Sequence, residues 1–567
     1  MPLSINLVVL SSYLFIAPLV LAQETQPQET QTQQNKPQDP SSSQSADTPR
    51  TIDPSAETTR DGNLVIVSHP IFDESASNAF FLHRWANFLH INTRPSTITN
   101  ALSFDKNQSV TQKDLDEAQR ILREESYIRD AKVSFTQRKT DGQTDDEVGQ
   151  DILVETWDNW SLLPTFSFGR SGGDNTVSMG IKEDNLLGYG IRTRLRYQSD
   201  ADRNGYKLAF RIPTDSLIRH STLTLDFYDN SDGQAAFVDF TKPFYTLDGE
   251  NMYSTRYVTD SRVDIIRQNG NNINEFNHEV DYADLEYGWL FNKADDWRSR
   301  IVVGITRDNN QFENIDLFPS APLPKDRDFL YPWISYQYLQ DDYKVLNNIY
   351  LIGKNEDLNL GWQHYFKLGI ETLDTQSNPV GYHLDWRTSR GYMSENHLLL
   401  LAIGGEGILA TAQNDYFKLS TLAEYFYHIS PKWTAYAKSR LSTSKNNFLD
   451  KTFALGDETG IRGFPNDYQH GNNQWLVSAE LRHYPNINLY QLAELGWALF
   501  TDYGQASGGP DENNETKDPI GSFGVGARLF SSRSSYGSVA HIDFSVPFTA
   551  GDHVNSWEWR FQIKSHF

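Results

Sequence analysis

The sequence predicts a mainly β protein: a transmembrane antiparallel β-barrel over residues 160–567, preceded by a small α/β domain. Three observations predict it. From residue 160 onward, apolar and polar side chains alternate with period two. Aromatic residues reach 13% in a chain whose 74 acidic and 50 basic residues leave a formal charge of −24. Mean hydropathy is −0.57, and after the first 22 positions there is no run of about 20 apolar residues that could form a membrane-crossing helix.

The same figures exclude several classes. The surplus of acid argues against a general nucleic-acid binder, whose affinity comes from clustered Lys and Arg. Zero cysteines exclude disulfides, thiolate metal sites, a cysteine nucleophile and lipid anchoring through an N-terminal cysteine. The chain has no G-x-S-x-G, H-E-x-x-H or phosphate loop, and its 14 His are scattered. Neither an enzyme nor a metal or cofactor site is expected.

Residues 1–22 read as a signal peptide. The apolar run from Leu7 ends in Val20-Leu21-Ala22, with small side chains at −3 and −1 of a cleavage site before Gln23. No Lys or Arg precedes the run, so an uncleaved anchor is the alternative. Residues 23–60 read as a disordered Gln/Pro/Ser-rich linker, because over 23–50 no aromatic or branched aliphatic side chain offsets the cost of ordering the backbone.

Residues 61–158 read as strand, helix, helix, strand, strand. Leu64, Val65, Ile66 and Val67 are strand-like, and Pro95 opens a short helix ending near Leu102. Thr111 is an N-cap with Asp114 at N3, ahead of Leu115, Ala118 and Leu122, so residues 112–126 form one amphipathic helix. Residues 131–136 and 151–156 alternate around Val133, Phe135, Ile152 and Val154, and Asp141-Gly142 suits the turn between them. This order, with Arg94-Pro95-Ser96-Thr97-Ile98 and the 115–122 segment, resembles a polypeptide-transport-associated (POTRA) domain. A generic α/β interaction domain fits the same pattern.

In the barrel region Ile191, Thr193, Leu195 and Tyr197 alternate with Arg192, Arg194 and Arg196. Trp557, Trp559, Phe561 and Ile563 alternate with Glu558, Arg560 and Gln562. A soluble sandwich shows the same pattern strand by strand. The length, the Asn/Asp/Gly-rich loops, the strand-end Trp and Tyr and the signal peptide favour a membrane barrel. Sixteen strands leave about 25 residues for each strand and connection, comfortable for spans of about 9–11 residues. Fourteen or eighteen satisfy the same arithmetic.

Several motifs follow one another. Asp184-Asn185-Leu186-Leu187-Gly188-Tyr189-Gly190 comes early, and Gly460-Ile461-Arg462-Gly463-Phe464 follows Phe453-Ala454-Leu455-Gly456. Ser478-Ala479-Glu480-Leu481-Arg482 and Phe500-Thr501-Asp502-Tyr503-Gly504 come next, then Gly524, Gly526, Arg528 and Asp543. In this order they resemble the BamA/TamA-like outer-membrane assembly and polypeptide-transport barrels, the bacterial surface antigen family, to which the FhaC transporter is also related.

The resemblance implies that the loop at Arg462 folds back into the lumen to meet Glu480 and Asp502. Period two agrees: with Trp475, Val477, Ala479 and Leu481 outward, Glu480 and Arg482 face inward, and with Leu495, Trp497 and Leu499 outward, so does Asp502. A guanidinium suits the task because its planar fork binds carboxylates bidentately and stays charged. Gly460 and Gly463 would let the backbone turn tightly against the wall. A solvated loop arginine and ordinary lumen carboxylates are the alternatives.

The resemblance also implies a place in the bacterial outer membrane, with the α/β domain in the periplasm. The implied work is translocating or inserting unfolded or nascent polypeptides without ATP. The implied partners are those polypeptides, outer-membrane lipid and periplasmic chaperones or accessory proteins, with no nucleic acid. A dedicated two-partner-type secretion pore and a passive porin or structural barrel are the alternatives. Phe567, the last residue, reads as a C-terminal barrel signal, or simply as the last lipid-facing side chain.

Overall fold

The computed structural model describes residues 22–23, 63–71, 87–88, 90–104, 109–137 and, with short breaks, 150–564. The expected signal peptide and linker lie outside the described residues except for Ala22 and Gln23, and so does Phe567.

Strands β1 (Leu64–His69), β2 (Ile128–Gln137) and β3 (Gln150–Asp158) form one sheet, with β3 in the centre, parallel to β1 and antiparallel to β2. Helices α1 (Pro95–Ala101) and α2 (Gln112–Glu124) lie between β1 and β2 in sequence. Thr111 caps α2: its N–H donates to Asp114 Oδ2 at 2.8 Å, and the Asp114 N–H donates back to Thr111 Oγ1 at 3.3 Å. Leu115, Ala118 and Leu122 then face the sheet, packing with Ile98, Val133 and Val154. A 13-residue helix is marginal alone, so this buried face, at about 1.5–3 kcal/mol per large side chain, is what holds it.

The rest of the chain is a closed barrel of twenty antiparallel strands. Its first ten are β4 (Leu162–Ser171), β5 (Asp174–Leu186), β6 (Ile191–Ser199), β7 (Asn204–Pro213), β8 (Thr222–Asn230), β9 (Gly233–Lys242), β10 (Asn251–Gln268), β11 (Asn271–Ala294), β12 (Trp297–Asn314) and β13 (Arg327–Gln340). A separate small sheet follows, the hairpin β14 (Tyr343–Asn347) and β15 (Asn355–Asn359), with Ala22 and Gln23 paired antiparallel to β15. The wall resumes with β16 (Gln363–Ile370), β17 (Tyr382–Ser394), β18 (His397–Leu409), β19 (Tyr416–Ser430) and β20 (Trp433–Lys445). A long loop then carries the short pair β21 (Phe453–Leu455) and β22 (Gln469–Gly471). The last wall strands are β23 (Asn473–Leu489), β24 (Ala493–Ser507), β25 (Ile520–Ser531), β26 (Val539–Pro547) and β27 (Glu558–Lys564).

Twenty strands replace the sixteen expected. The even allotment of about 25 residues per strand fails because many connections are two-residue turns, at 172–173, 231–232, 269–270 and 295–296 among others. The chain they release builds the additional strands. Among the described residues no helix is long and apolar enough to cross a membrane; a closed barrel spans with strands whose backbone groups are all paired.

Among the described residues the ring closes through one residue pair, Phe561 with Arg170, between β27 and β4. Arg170 Nε donates to Glu558 Oε1 across this seam at 2.8 Å.

The α/β domain sits at the end of the barrel from which β4 departs, here called the inner end. The early motif at 184–190 makes the β5–β6 turn there and receives the domain. Arg94 N–H and Thr97 Oγ1 both donate to Gly188 O, at 3.1 and 2.8 Å, and the Arg94 guanidinium lies 4.1 Å from the Tyr189 ring centre. Gly188 has φ +79°, and a Cβ there would meet Asn92 O at 2.7 Å, so this contact requires glycine. Arg219, between β7 and β8, donates to Leu102 O and Phe104 O, and Leu247 N–H, between β9 and β10, donates to Glu117 Oε1.

Candidate functional site

The loop 446–472 joins β20 to β23 at the outer end and turns back into the lumen. Ile461 and Phe464, on either side of Arg462, are fully buried with Leu455, Tyr468, Leu476, Ala506 and Ile520. This apolar anchor holds the loop against the inner wall. Gly460 (φ +135°) and Gly463 (φ +92°) give the turn its shape, and a Cβ on Gly460 would come within 2.3 Å of Leu476 Cδ2.

Arg462 is 5% exposed. Its Nε and Nη2 donate to the two oxygens of Asp502 at 2.7 and 2.8 Å, and its Nη1 donates to Glu480 Oε1 at 2.8 Å. The guanidinium stacks 3.5 Å from the Phe500 ring centre. Burial works against its charge, but Asp502 and then Glu480 outweigh burial and hold its pKa well above the ordinary arginine value.

The network extends beyond this triad. Arg482 Nε donates to Glu480 Oε2 at 2.9 Å, and Arg528 Nη1 donates to Asp543 Oδ1 at 2.6 Å. Arg528 also lies 3.9 Å from Glu480 and Arg462 lies 3.9 Å from Asp543. Arginines 462, 482 and 528 thus face carboxylates 480, 502 and 543, a balance of charge that buried ions require.

Asp457 gives the loop a second attachment. It accepts from Gly463 N–H at 2.7 Å and from Ser171 Oγ at the tip of β4, and its carboxylate lies 3.4 Å from Arg560 Nε on β27. One carboxylate therefore touches both strands of the seam. Asn466 Nδ2 adds a bond to Ser171 O at 3.2 Å.

Loop contacts also cross the outer mouth. At the β10–β11 turn, Asn269 N–H donates to Tyr468 O at 3.0 Å and Asn269 Nδ2 donates to Asn513 O at 2.8 Å. Gln268 Nε2 donates to Asn514 Oδ1 at 3.1 Å. Because β10 and β24 stand ten places apart in the ring of twenty, these contacts span the mouth.

Period two and the motif order lead to Arg462, Glu480 and Asp502, and the structure brings all three together. They do not lead to Asp457, or to Arg528 and Asp543 as members of the same network. The signal available was weak: Arg528 and Asp543 lie in the motif series, but nothing in their spacing assigns them to Arg462.

The family model of the haemolysin secretion/activation proteins ShlB/FhaC/HecB matches residues 355–529. That span holds Arg462, Glu480, Arg482, Asp502 and Arg528. The motifs alone suggest the assembly barrels, whereas the model that matches is that of secretion proteins. Among solved structures, the chain is similar to CdiB from Acinetobacter baumannii at 12% identity, over 88% of this chain and 73% of that one, with a TM-score of 0.44. For CdiB from Escherichia coli the values are 11%, 89%, 76% and 0.45. For BamA from Haemophilus ducreyi lacking POTRA domains 1–3 they are 13%, 89%, 85% and 0.41. No protein of curated function matches the sequence. Over residues 355–529, then, this chain is similar to the haemolysin secretion/activation family.

Proposed function

We propose that the protein is a bacterial outer-membrane barrel that passes a polypeptide through its lumen to the cell exterior, as a dedicated secretion pore of the two-partner type. The observation that carries this reading is the match to the secretion family over the span that contains the lumen loop and its arginines. In this reading residues 1–22 direct export, residues 61–158 form a POTRA-like domain in the periplasm, and residues 160–567 form the pore. Among the described residues β1 is an unpaired edge of its sheet, with Val65 and Val67 exposed, and such an edge can hold an extended chain by backbone pairing alone. Pairing of this kind needs no ATP, and folding of the cargo outside makes its passage one-way.

A second reading, insertion of polypeptides into the membrane, is favoured by the single residue pair that closes the seam among the described residues. One comparison separates the two. The chain is deleted in its native bacterium, and the polypeptides of the medium and of the outer membrane are identified by mass spectrometry. Secretion predicts that one or a few polypeptides vanish from the medium and return with the wild-type chain but not with Arg462→Ala. Unchanged medium with depleted outer-membrane barrels supports insertion and overturns secretion.

A further inference from the structure

Between β13 and β16 the chain makes the hairpin β14–β15 where a short turn would suffice to build the wall. Its tip is buried inside the barrel at the inner end. Ile349 and Tyr350 pack with Leu398, Phe426 and Tyr436 on β18, β19 and β20. Leu351 and Ile352 pack with Tyr484, Phe530 and Val539 at the inner end of β23, β25 and β26. Strand β26 is eight places from β16 in the ring of twenty, so the hairpin reaches almost straight across the lumen.

Side chains fix it there. Tyr350 Oη donates to Glu424 Oε2 at 2.9 Å, and Tyr436 Oη donates to the other oxygen at 2.6 Å. Arg482, a member of the Arg462 network, donates from Nη1 to Ile349 O at 3.3 Å. Within the hairpin, the Glu356 carboxylate accepts the N–H groups of Ile349, Tyr350 and Leu351 at 2.9, 3.0 and 3.2 Å, which makes the tip one rigid unit. Among the described residues neither β14 nor β15 pairs with a wall strand. The hairpin's other strand partner is Ala22–Gln23, paired with β15, so the unit can leave the lumen without breaking any ladder of the barrel.

The α/β domain contacts the turns of β5–β6, β7–β8 and β9–β10 at the inner mouth. Domain and hairpin touch through α2. The Arg120 guanidinium lies 5.2 Å from the Tyr343 ring centre, and Lys113 Nζ lies 3.5 Å from Asp341 Oδ2 at the hairpin's base.

We propose that β14–β15 is an inner gate, held shut across the lumen and released when the α/β domain shifts on the barrel. The gate goes beyond the secretion reading, because it closes the lumen to any solute, whatever the cargo. Its link to Arg482 also places the gate in contact with the network that seats the outer loop.

The test uses the full-length protein, whose lack of cysteine permits single thiol labels. In planar bilayers, replacing residues 345–358 by a short Gly-Ser turn raises single-channel conductance several-fold, provided the variant keeps heat-modifiable migration. Unchanged conductance in such a folded variant overturns the gate. A second measurement does not depend on that variant folding. The thiol of Leu351→Cys, at a position 3% exposed, reacts slowly with a membrane-impermeant maleimide, whereas that of Val345→Cys, at a position 57% exposed, reacts fast. Adding Lys113→Ala and Arg120→Ala in α2 speeds labelling of Leu351→Cys by roughly tenfold, about 1.4 kcal/mol of docking. Equal rates at 351 and 345 show that the tip is not docked, and no acceleration by the α2 substitutions shows that the domain does not hold it; either result overturns the proposal.

Discussion

Arg462 grips Asp502 with two parallel bonds, Nε to Oδ2 at 2.7 Å and Nη2 to Oδ1 at 2.8 Å, and its own backbone N–H reaches the same carboxylate at 3.3 Å. Asp502 is fully buried on β24, so one wall residue fixes both the side chain and the backbone of the loop. Asp502→Ala strands most of a buried charge, and removing one partner of such a pair costs about 3–5 kcal/mol. The expected result is a lower temperature for loss of heat-modifiable migration and new protease cleavage within residues 446–472. Arg462→Lys keeps the charge but not the fork, and should recover only part of the loss.

Asp457 ties the loop to both strands of the seam, beside the Arg170–Glu558 bond and the stacking of Phe168 on Trp559. Asp457→Ala removes bonds from Ser171 and Gly463 and leaves Arg560 without this carboxylate. A hydrogen bond to a charged group contributes about 1.5–3 kcal/mol, so a loss of this order is expected. Hydrogen exchange should locate it on β4 and β27, with β10 to β13 unchanged. Uniform loosening of the wall would show that the seam has no special dependence on Asp457.

Gly188 accepts the α/β domain with φ +79° and no room for a Cβ. Gly188→Ala should cost about 1–3 kcal/mol in strain, spent on the domain contact and not on the wall. Faster proteolysis of residues 90–104, at unchanged barrel heat-modifiability, is the expected outcome.

The gate should respond to pH. Burial pushes the Glu356 carboxyl up to about 7 from its ordinary 4.5, despite the N–H groups of Leu351, Tyr350 and Ile349 and the charge of Arg482. Tyr350 and Tyr484 also face Glu356, and Tyr350 in turn donates to Glu424, which accepts from Tyr436 as well. Undocking rehydrates Glu356, so the docked hairpin holds a proton that the free hairpin releases. Docking is then strongest below about pH 4.5, weakens as pH rises toward about 7, and is level above that. Burial also pushes Glu124 on α2 up to about 7, against the charge of Arg120 and with the same sign. Conductance should rise between pH 5 and 7.5, and Glu356→Gln should remove Glu356's share of the rise. A flat or falling profile in the wild type would contradict this assignment.

Much of the lumen wall is legible in the sequence because each wall strand has one wet and one dry face. Gln474, Leu476, Ser478, Glu480 and Arg482 are buried while Val477 and Ala479 are exposed, as alternation on β23 requires. The same regularity hides the hairpin. Residues 343–347 and 355–359 are short extended segments like those of the wall, and only the closed ring shows that they pair with each other and not with β13 or β16. Strand number fails for a related reason, since turn lengths are local choices that an average cannot give. Asp457 is invisible because its partners, Ser171 and Arg560, lie at opposite ends of the barrel sequence and meet only when the ring closes.

The central claim, that a polypeptide passes through this lumen, is tested most directly by photo-crosslinking in growing cells. A benzoylphenylalanine placed at the inward-facing Arg194 of β6 is compared with one at the outward-facing Leu195, which is 52% exposed. Passage through the lumen predicts an adduct at 194 and not at 195, containing the same polypeptide that disappears from the medium in the Arg462→Ala strain. No adduct at 194, with that polypeptide still reaching the medium, would contradict it.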